Sequence, residues 1–272
     1  MINPIHLSNF HTHSTFCDGK NTPEEIILTA IQKGFSAIGF SGHGYTPFDL
    51  RYCTKDMEGY IREVERVKDK YAGQIEIYLG AEEDAFCPVD RSRFSYLIGS
   101  SHYYLVEGKY LPIDSGIDYF KACLDAFAND TRKMADTYYR QFCDYILRRK
   151  PDIIGHFDLI TKFDECHTPY FLGDSQYEAI AGTYLLKAMQ SGSIFEVNTG
   201  AISRGYRKTV YPSEQLLYLL KREDAKLILS SDSHAAETID FYFAEARRYL
   251  YDIGFRHVYT LSGGKFIPVP LV

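Results

Sequence analysis

Short apolar runs alternate with segments of helical periodicity along the chain. The apolar runs predict seven β-strands, at about residues 5–10, 36–41, 75–80, 96–100, 152–155, 193–197 and 226–230. The helical segments predict helices at about residues 21–35, 54–72, 116–128, 131–149, 175–191, 213–223 and 237–253. Strands that alternate with helices in this way are typical of a parallel sheet built from βα units.

The first two helices carry clear local signals. Thr22 can cap the first helix, Pro23 suits its first turn, and Glu25 can complete a capping box with Thr22. Gly34 suits the exit from this helix. The second helix has an apolar stripe at helical spacing, formed by Met57, Ile61, Val64 and Val67. Both segments are therefore predicted to be helices with one apolar face.

The length and composition of the chain indicate how many domains it forms. The chain has 272 residues, of which 45% are hydrophobic and 24% charged, as in ordinary soluble globular proteins. One α/β barrel typically has about 250 residues. The sequence contains no low-complexity linker, no break in composition and no clear repeat. We therefore expect one barrel domain over residues 1–272.

Charge and cysteine usage argue against several classes of protein. The formal net charge is -6 and no basic run is present, so we expect no nucleic-acid partner. The opening segment MINPIHLSNF lacks the cationic start and apolar core of a signal peptide. No run approaches the ~20 apolar residues of a membrane span. The six cysteines are scattered without a C-x-x-C pair, which predicts reduced thiols in a cytoplasmic protein.

Candidate chemistry is concentrated directly after the predicted strands. In chain order the strands run into HTH, SGHG, GAEED, SSH, GHFD, VNTG and SDSH. The carboxyl ends of barrel strands lie at one rim, where active sites are built, so we expect these segments to converge. They and the adjoining loops contain His11, His13, His43, His102, His156 and His234, together with the carboxylates Asp18, Glu82 and Asp232. This periodic placement predicts a metal site, whereas His6, His167 and His257 are expected to be structural or solvated.

The ligand types and their number restrict the metals. His11 and His13 are two positions apart, and residues i and i+2 of an extended segment point to the same side, so both imidazoles can reach one ion. Imidazole and carboxylate ligands without thiolate suit zinc, manganese or iron. Nine side chains exceed the coordination positions of one ion. Either two or three ions bind, or some of these residues only support the ligands.

The order of these motifs resembles a known family. The series H-x-H…D, H, G-x-E, S-x-H, G-H and D-x-H is similar to that of the polymerase and histidinol phosphatase (PHP) superfamily. The segments PDIIGHFDLITKFDE and FEVNTGAISRGYRKTVYPS resemble its histidinol-phosphatases in particular. The resemblance implies an α/β fold, a distorted (β/α)7 TIM-like barrel with the metal site at the C-terminal ends of the strands. One departure is Ser41-Gly42-His43, where the family often has Thr-Asp-His.

The resemblance also implies a centre of three divalent transition-metal ions, which would be Zn, Mn or Fe. The first ion would be held by His11, His13, Glu82 and Asp232, the second by Glu82, His102 and His156, and the third by Asp18, His43 and His234. Glu82 would bridge the first two ions. Glu82, Asp232 and His234 are expected to take part in catalysis.

Phosphoester hydrolysis follows from such a centre. Bound divalent ions lower the pKa of water toward ~7, so that hydroxide can attack phosphorus at neutral pH. A phosphomonoester also needs a fixed cation, and the planar guanidinium group suits phosphate. Arg204 and Arg207 are the candidates for phosphate binding, and Arg204 is preferred because it lies nearer the end of the sixth strand.

The resulting hypothesis is a cytoplasmic, metal-dependent phosphatase that hydrolyses L-histidinol phosphate to L-histidinol and phosphate in histidine biosynthesis. The substrate rests on the resemblance. One alternative is a PHP-family phosphoesterase acting on another small phosphomonoester or a nucleotide, and another is a non-catalytic metal-binding module. Asp114 and Asp158 could each meet the ammonium group of the substrate. The general acid, the native metals and the oligomeric state do not follow from the sequence.

Overall fold

Each predicted strand is present and forms from a short run of buried residues. The computed structural model describes residues 6–167 and 169–271, so Ile5, in the first predicted strand, lies outside the described residues. The strands are β1 (Ser8–Asn9), β2 (Ala37–Phe40), β3 (Glu76–Asp84), β4 (Tyr96–Ser100), β5 (Tyr103–Val106), β6 (Lys109–Pro112), β7 (Ile153–Ile154), β8 (Ile194–Asn198), β9 (Leu227–Ser230), β10 (His257–Ser262) and β11 (Lys265–Pro270). The seven predicted strands correspond to β1–β4 and β7–β9.

Helices separate these strands, as the periodicity predicts. They are α1 (Pro23–Gln32), α2 (Met57–Lys70), α3 (Ile117–Ala126), α4 (Thr131–Arg149), α5 (Ser175–Met189), α6 (Gly200–Ser203), α7 (Glu214–Arg222) and α8 (Phe243–Ile253). The predicted capping box of α1 is confirmed, because the Glu25 N–H donates to Thr22 Oγ1 (3.3 Å) and the Thr22 N–H donates to Glu25 Oε2 (2.8 Å).

Across the two described ranges, no helix has both the length and the apolar character needed to cross a membrane.

The sheet is parallel from β1 to β10 and contains nine strands. Its order is β1-β2-β3-β4-β7-β8-β9-β10-β11, with only β11 antiparallel to its neighbour. The ladders do not close into the predicted seven-stranded barrel, because β1 and β9 share no ladder within the strands themselves. Just beyond their ends a single parallel bridge joins Thr12 to Ser233. Through it, the His13 N–H donates to the Ser233 carbonyl (2.8 Å) and the Ser233 N–H to the His11 carbonyl (3.1 Å).

Two hairpins, the short helix α6, the end of β3 and the start of the last helix differ from the predictions. The β5–β6 hairpin forms a separate antiparallel sheet, and the β10–β11 hairpin extends the main sheet. The last helix begins at Phe243 and not near residue 237, after a 3-10 turn at Ala236–Thr238. The Ile239 carbonyl accepts hydrogen bonds from the side chains of Asn9 (3.1 Å) and Ser231 (3.1 Å), so it is engaged by tertiary contacts. The chain therefore turns once more before the helix starts.

One apolar cluster lies on the concave side of the sheet and contains Phe10, directly after β1, and residues of every later strand up to β10 except the β5–β6 hairpin. Its members are Phe10, Ala37, Tyr78, Tyr96, Ile98, Ile153, Ile194, Ile228 and Leu261. Two larger clusters pack the helices against the other side. Since residues from strands at opposite ends of the ladder order meet in this one cluster, the sheet must be strongly curved. The curvature brings the carboxyl ends of the strands together.

Tyr96 fills much of this interior layer. It is fully buried, and its hydroxyl donates to the Phe10 carbonyl at 2.6 Å. Gly39 and Gly80 leave room for its ring: a Cβ at either position would lie 2.3 Å from a Tyr96 atom. The absence of a side chain at these two glycines is therefore a packing requirement.

The substitution Gly80→Ala tests this packing. We expect it to lower the free energy of unfolding by about 1–3 kcal/mol, the range found when a well-packed core is overfilled. The matched control is Gly182→Ala in α5, where the nearest atom to a new Cβ is the tip of Leu219 at 3.3 Å. The control should keep or raise stability, because alanine is favoured over glycine in helices by up to ~1 kcal/mol. Urea unfolding followed by circular dichroism measures both, and equal effects would contradict the role of Tyr96.

Candidate metal centre

The nine predicted ligands converge at the carboxyl ends of the parallel strands. They form four overlapping groups whose candidate ligand atoms lie within 4.8 Å of one another. The groups are His13, Asp18, His43 and His234; His11, Glu82 and His156; His11, His13 and Asp232; and His43, Glu82 and His102. The expected proximity of the strand-end residues is therefore present in the structure.

Glu82 lies at the middle of the cluster. Its side chain is almost fully buried, and its Oε2 lies 2.8 Å from His43 Nδ1, 3.3 Å from His11 Nε2 and 3.6 Å from His13 Nε2. Its Oε1 lies 3.1 Å from His156 Nε2 and 3.4 Å from His102 Nε2. One carboxylate thus faces five imidazoles, with its two oxygens directed to different sets.

His11 and His13 face the same side, as the extended spacing predicts. Their Nε2 atoms lie 3.5 Å and 3.2 Å from Asp232 Oδ1. The bridge between Thr12 and Ser233 fixes this arrangement, because it sets the two segments side by side in parallel register. Asp232 itself has a positive φ of 47°, a strained conformation for a residue other than glycine.

Asp18 reaches the centre through a tight turn. Its Oδ2 lies 3.4 Å from His234 Nε2, and its Oδ1 lies 3.7 Å from His43 Nε2. The Gly19 N–H donates to the Ser14 carbonyl (3.1 Å), and a Cβ at Gly19 would lie 2.5 Å from the His13 backbone. The turn folds back on the preceding strand end so closely that only glycine fits after Asp18.

Electrostatics favours ionised carboxylates and bound positive charge here. Burial disfavours the charged form of Glu82, but the imidazoles of His11, His43 and His102 outweigh burial and hold the pKa of this carboxyl well below its ordinary value. Burial, together with His234 and His43, lowers the pKa of His13 to about 3, so this imidazole is neutral. Burial would also lower the pKa of His11, but the surrounding carboxylates raise it well above its ordinary value.

These residues fit a divalent metal centre. The buried atoms His11 Nε2, His13 Nε2 and Glu82 Oε2 make no well-directed hydrogen bond among the described residues, although buried polar atoms are normally paired. Neutral imidazole and ionised carboxylate are the forms that coordinate metals, and a cation would satisfy the orphaned atoms and the local preference for positive charge. With imidazole and carboxylate donors, the set suits zinc, manganese or iron.

A cavity of about 360 Å³ opens beside the cluster. Part of its wall is formed by Asp18, His43, Glu82, His102, His156, Asp232 and His234, and the remainder by Arg51, Tyr52, Tyr103, Asp114, Ser115, Leu159, Lys162, Arg204 and Tyr206. Lys162 Nζ donates to the Asp114 main-chain carbonyl (2.8 Å) and lies 3.4 Å from Asp114 Oδ2. Both signs of charge therefore line the wall away from the histidines. Asp158 is buried elsewhere, where its Oδ2 accepts the Ser213 N–H (2.8 Å).

The two candidate arginines lie in different environments. Arg204 lines the cavity, and its guanidinium donates to Asp232 Oδ2 (2.9 Å) and to the Asp232 carbonyl (3.0 Å). Arg207 is 3% exposed and points away from this cavity, with its guanidinium bonded to Glu165, Thr161 and Thr209. The structure thus brings Arg204 to the cluster and does not bring Arg207 there.

Two carboxylates behind the cluster are absent from the sequence predictions. Glu196, in β8, has its Oε1 2.6 Å from His11 Nδ1. Asp84, at the end of β3, accepts the His102 N–H (3.0 Å) through an oxygen that is also 3.3 Å from His102 Nδ1. Glu196 lies inside a strand that is buried throughout, and Asp84 ends a strand in which only the first residue is exposed. A charged residue inside such a continuous buried run was the available signal, since fully buried strands are normally apolar.

Gly42 stands where the family often has an aspartate, and its main chain is hydrogen-bonded to a tyrosine. The Gly42 N–H donates to the Tyr60 hydroxyl (3.2 Å), which itself donates to the Gly80 carbonyl (2.9 Å). A Cβ at Gly42 would lie 3.2 Å from Thr54 Oγ1, so space for a side chain is limited. His43 is held without an aspartate before it.

A parallel α/β sheet with imidazoles and carboxylates at its carboxyl ends defines a class of metal-binding proteins, and comparison with known proteins identifies the family. A family model described as PHP domain matches residues 9–200, more than half of the chain. The chain therefore belongs to the PHP domain family, and the predicted membership is confirmed. The match ends before Arg204, Asp232 and His234.

Relatives match over most of their length. A Schizosaccharomyces pombe protein named "Probable histidinol-phosphatase" is 29% identical over 93% of this chain and 89% of its own. The Bacillus subtilis "Histidinol-phosphatase" is 25% identical over 85% of this chain and 94% of its own. The crystal structure of histidinol phosphate phosphatase from Lactococcus lactis, complexed with Zn, L-histidinol and phosphate, superimposes with a TM-score of 0.73 at 20% identity, over 96% of this chain and 98% of that chain. The structural likeness establishes a shared fold.

The substitution Glu82→Gln tests the central position of this carboxylate. Because Glu82 faces five imidazoles, we expect the variant to lose more bound metal and more activity than Asp18→Asn, which changes a partly exposed carboxylate at the edge. Losing the charge also removes the carboxylate that would attract a cation most strongly at the middle of the cluster. Metal per chain is measured by elemental analysis and activity with a chromogenic phosphomonoester. Small and equal losses in the two variants would contradict a bridging role.

Proposed function

We propose that this protein is a metal-dependent phosphatase that hydrolyses L-histidinol phosphate to L-histidinol and phosphate. The reaction class is supported by the cluster of nine histidine and carboxylate side chains. Beside Arg204, this cluster faces a cavity large enough for a small molecule. The substrate is supported by the names of relatives that match over most of this chain. Membership of the PHP family is consistent with both.

We further propose that three divalent ions occupy the cluster. His11, His13, Glu82 and Asp232 would hold the first, Glu82, His102 and His156 the second, and Asp18, His43 and His234 the third. The four overlapping groups of ligand atoms support more than one ion, since none of the groups contains more than four of the nine side chains. When bound, such ions supply an activated water at neutral pH and neutralise charge on the phosphoryl oxygens. Zinc is supported by the complex formed by the structural relative.

The protein's own residues would orient the phosphate. Arg204 has 30% of its side chain exposed, and it lines the cavity while bonded to Asp232. A guanidinium fixed in this way can present its remaining N–H donors to a phosphoryl oxygen without a further loss of side-chain entropy. Asp232 would thus hold both an ion and the arginine. Arg207 is proposed to serve the structure of the loop only.

The finer architecture is also a proposal. The seven parallel strands β1–β4 and β7–β9 would form a distorted (β/α)7 barrel, with the segments after β1 and β9 joined only by the bridge between Thr12 and Ser233. The apolar cluster, which joins Phe10 after β1 to residues of the other six strands, supports this description. A single domain over residues 1–272 and a cytoplasmic location stay predictions.

Replacement of Arg204 tests its action on phosphate. Removing one charged donor from a site of this type costs about 2.7–4 kcal/mol, or 10²–10³ in rate. We therefore expect Arg204→Ala to lower kcat/KM by that factor and to weaken inhibition by phosphate while metal content is kept. Kinetics with and without phosphate measure kcat/KM and inhibition by phosphate, and elemental analysis measures the metal content. If the variant loses its metal, the arginine acts by holding Asp232, and phosphate binding must be assigned to another residue.

A comparison of substrates tests the proposed function itself. Histidinol phosphate carries an ammonium and an imidazole, which can pair with the carboxylate and aromatic side chains on the wall away from the metals. Each contact worth about 1.4 kcal/mol in the transition state raises kcat/KM about tenfold. Two such contacts would therefore raise kcat/KM on the order of 10²-fold over that of a monoester that lacks both groups. The panel contains L-histidinol phosphate, sugar phosphates, nucleotides, a phosphodiester and a chromogenic phosphate.

Three outcomes of this panel are distinguishable. A preference of about 100-fold for histidinol phosphate supports the proposal. Equal values across the monoesters, or faster cleavage of a nucleotide or diester, would favour the alternative of another PHP-family phosphoesterase. The absence of turnover in metal-loaded protein would favour a non-catalytic metal-binding module.

A further inference from the structure

Glu196 is a fully buried carboxylate directly behind the metal-binding cluster. It lies in β8 with no exposed surface, and its neighbours in that strand are buried as well. Its Oε1 lies 2.6 Å from His11 Nδ1. Its Oε2 accepts two hydrogen bonds, from the His156 main-chain N–H (2.9 Å) and from Asn198 Nδ2 (2.9 Å). Every contact of this carboxylate is thus made with a donor or with an imidazole nitrogen.

The contact with His11 determines how that imidazole faces the cluster. When His11 binds a cation as a neutral ring, the carboxylate on Nδ1 keeps the ring proton there and leaves the lone pair on Nε2. Nε2 is the buried atom that lacks a directed hydrogen bond and lies between Glu82 and Asp232. Carboxylate–histidine pairs of this kind fix the tautomer and ring orientation of metal ligands and raise their basicity.

The contact with His156 links a second strand end to the first. The main-chain N–H of His156 is held by the same carboxylate, and Gly155 before it packs so tightly that a Cβ would lie 2.5 Å from Ser100 Oγ. The ends of β1 and β7 are therefore set relative to each other by one side chain. Asn198 extends the contact, because its Oδ1 accepts the Gly200 N–H (2.8 Å) at the start of α6.

We propose that Glu196 is a positioning residue of the metal centre, which orients His11 and fixes the distance between His11 and His156. This inference rests on the metal centre in the proposed function and not on the identity of the substrate. Glu196 also adds a negative charge one imidazole away from the ions, which strengthens the binding of cations. Glu196 belongs to none of the groups of candidate ligands and does not line the cavity.

The test is the metal affinity of Glu196→Gln. The amide keeps one acceptor oxygen but turns an N–H₂ group toward donors, so it cannot satisfy His11, His156 and Asn198 together. We expect zinc affinity to fall about 10–100-fold, as for other residues that support metal ligands. Affinity is measured by competition with a chelating indicator, and the absorption spectrum of the cobalt-substituted protein reports the changed geometry. Activity lost at low zinc should be partly restored by excess zinc.

Glu83→Gln is the matched control. Glu83 is also a fully buried carboxylate, and it neighbours Glu82, but it points to the other side of β3. Its oxygens accept hydrogen bonds from Arg149 Nε (2.7 Å), the Tyr145 hydroxyl (2.8 Å) and the Val89 N–H (2.7 Å). This variant should lower the melting temperature of the metal-free protein while zinc affinity stays within about threefold, because no metal ligand is touched.

The outcomes separate the inference from the proposed function. If Glu196→Gln keeps wild-type zinc affinity, or if both variants lose affinity equally, the positioning role is wrong. If the wild-type protein binds no transition metal, the proposed function fails instead. Should Glu196→Gln not fold, Glu196→Asp is measured: its shorter carboxylate cannot keep both the His11 and the His156 contacts, so a loss of at least about threefold is expected, and unchanged affinity overturns the inference.

Discussion

The structure depends on one buried carboxylate surrounded by imidazoles. Taking an ionised carboxylate out of water costs several kcal/mol unless other charges and hydrogen bonds compensate. Glu82 meets five imidazole nitrogens within 3.6 Å, supplied by histidines from the ends of four different strands. These histidines lie between residues 11 and 156, so no short segment of the chain can assemble this shell. The curved sheet, the apolar layer around Tyr96 and the close glycine packing all help to hold those strand ends together.

Much of the fold and the cluster could be predicted from the sequence, because both follow from periodicity. Seven apolar runs gave the parallel strands, and the residues after each run gave the nine side chains now found together. The two hairpins were not predicted, although their turns carry signals. Glu107-Gly108 and Gly263-Gly264 each have two consecutive positive φ angles, as tight two-residue hairpin turns require. Strands were predicted from their alternation with helices, and this alternation does not indicate a hairpin inserted between a strand and the next helix.

The residues that support the cluster are harder to predict, because their roles arise from tertiary contacts. Glu196 belongs to no short motif, and only its position inside a buried strand sets it apart. Arg204 and Arg207 are three positions apart and chemically identical. They diverge because the chain passes through Gly205 at a φ of +76°, which directs Arg204 to Asp232 and Arg207 to Glu165. The spacing from the strand end predicted that Arg204 would lie nearer the cluster than Arg207. It did not predict the turn at Gly205.

The link between the first and the ninth strand has a consequence for biosynthesis of the molecule. Asn9 and Ser231, which bond to each other beneath the centre, are separated by 222 positions in the chain. During translation the first strand leaves the ribosome long before its partner segment exists. His11 and His13 are then exposed without Asp232, and contacts of such long range form late. The two groups of candidate ligands that include Asp232 or His234 therefore cannot form until nearly the whole chain has been synthesised, whereas the two groups that share Glu82 are complete at His156.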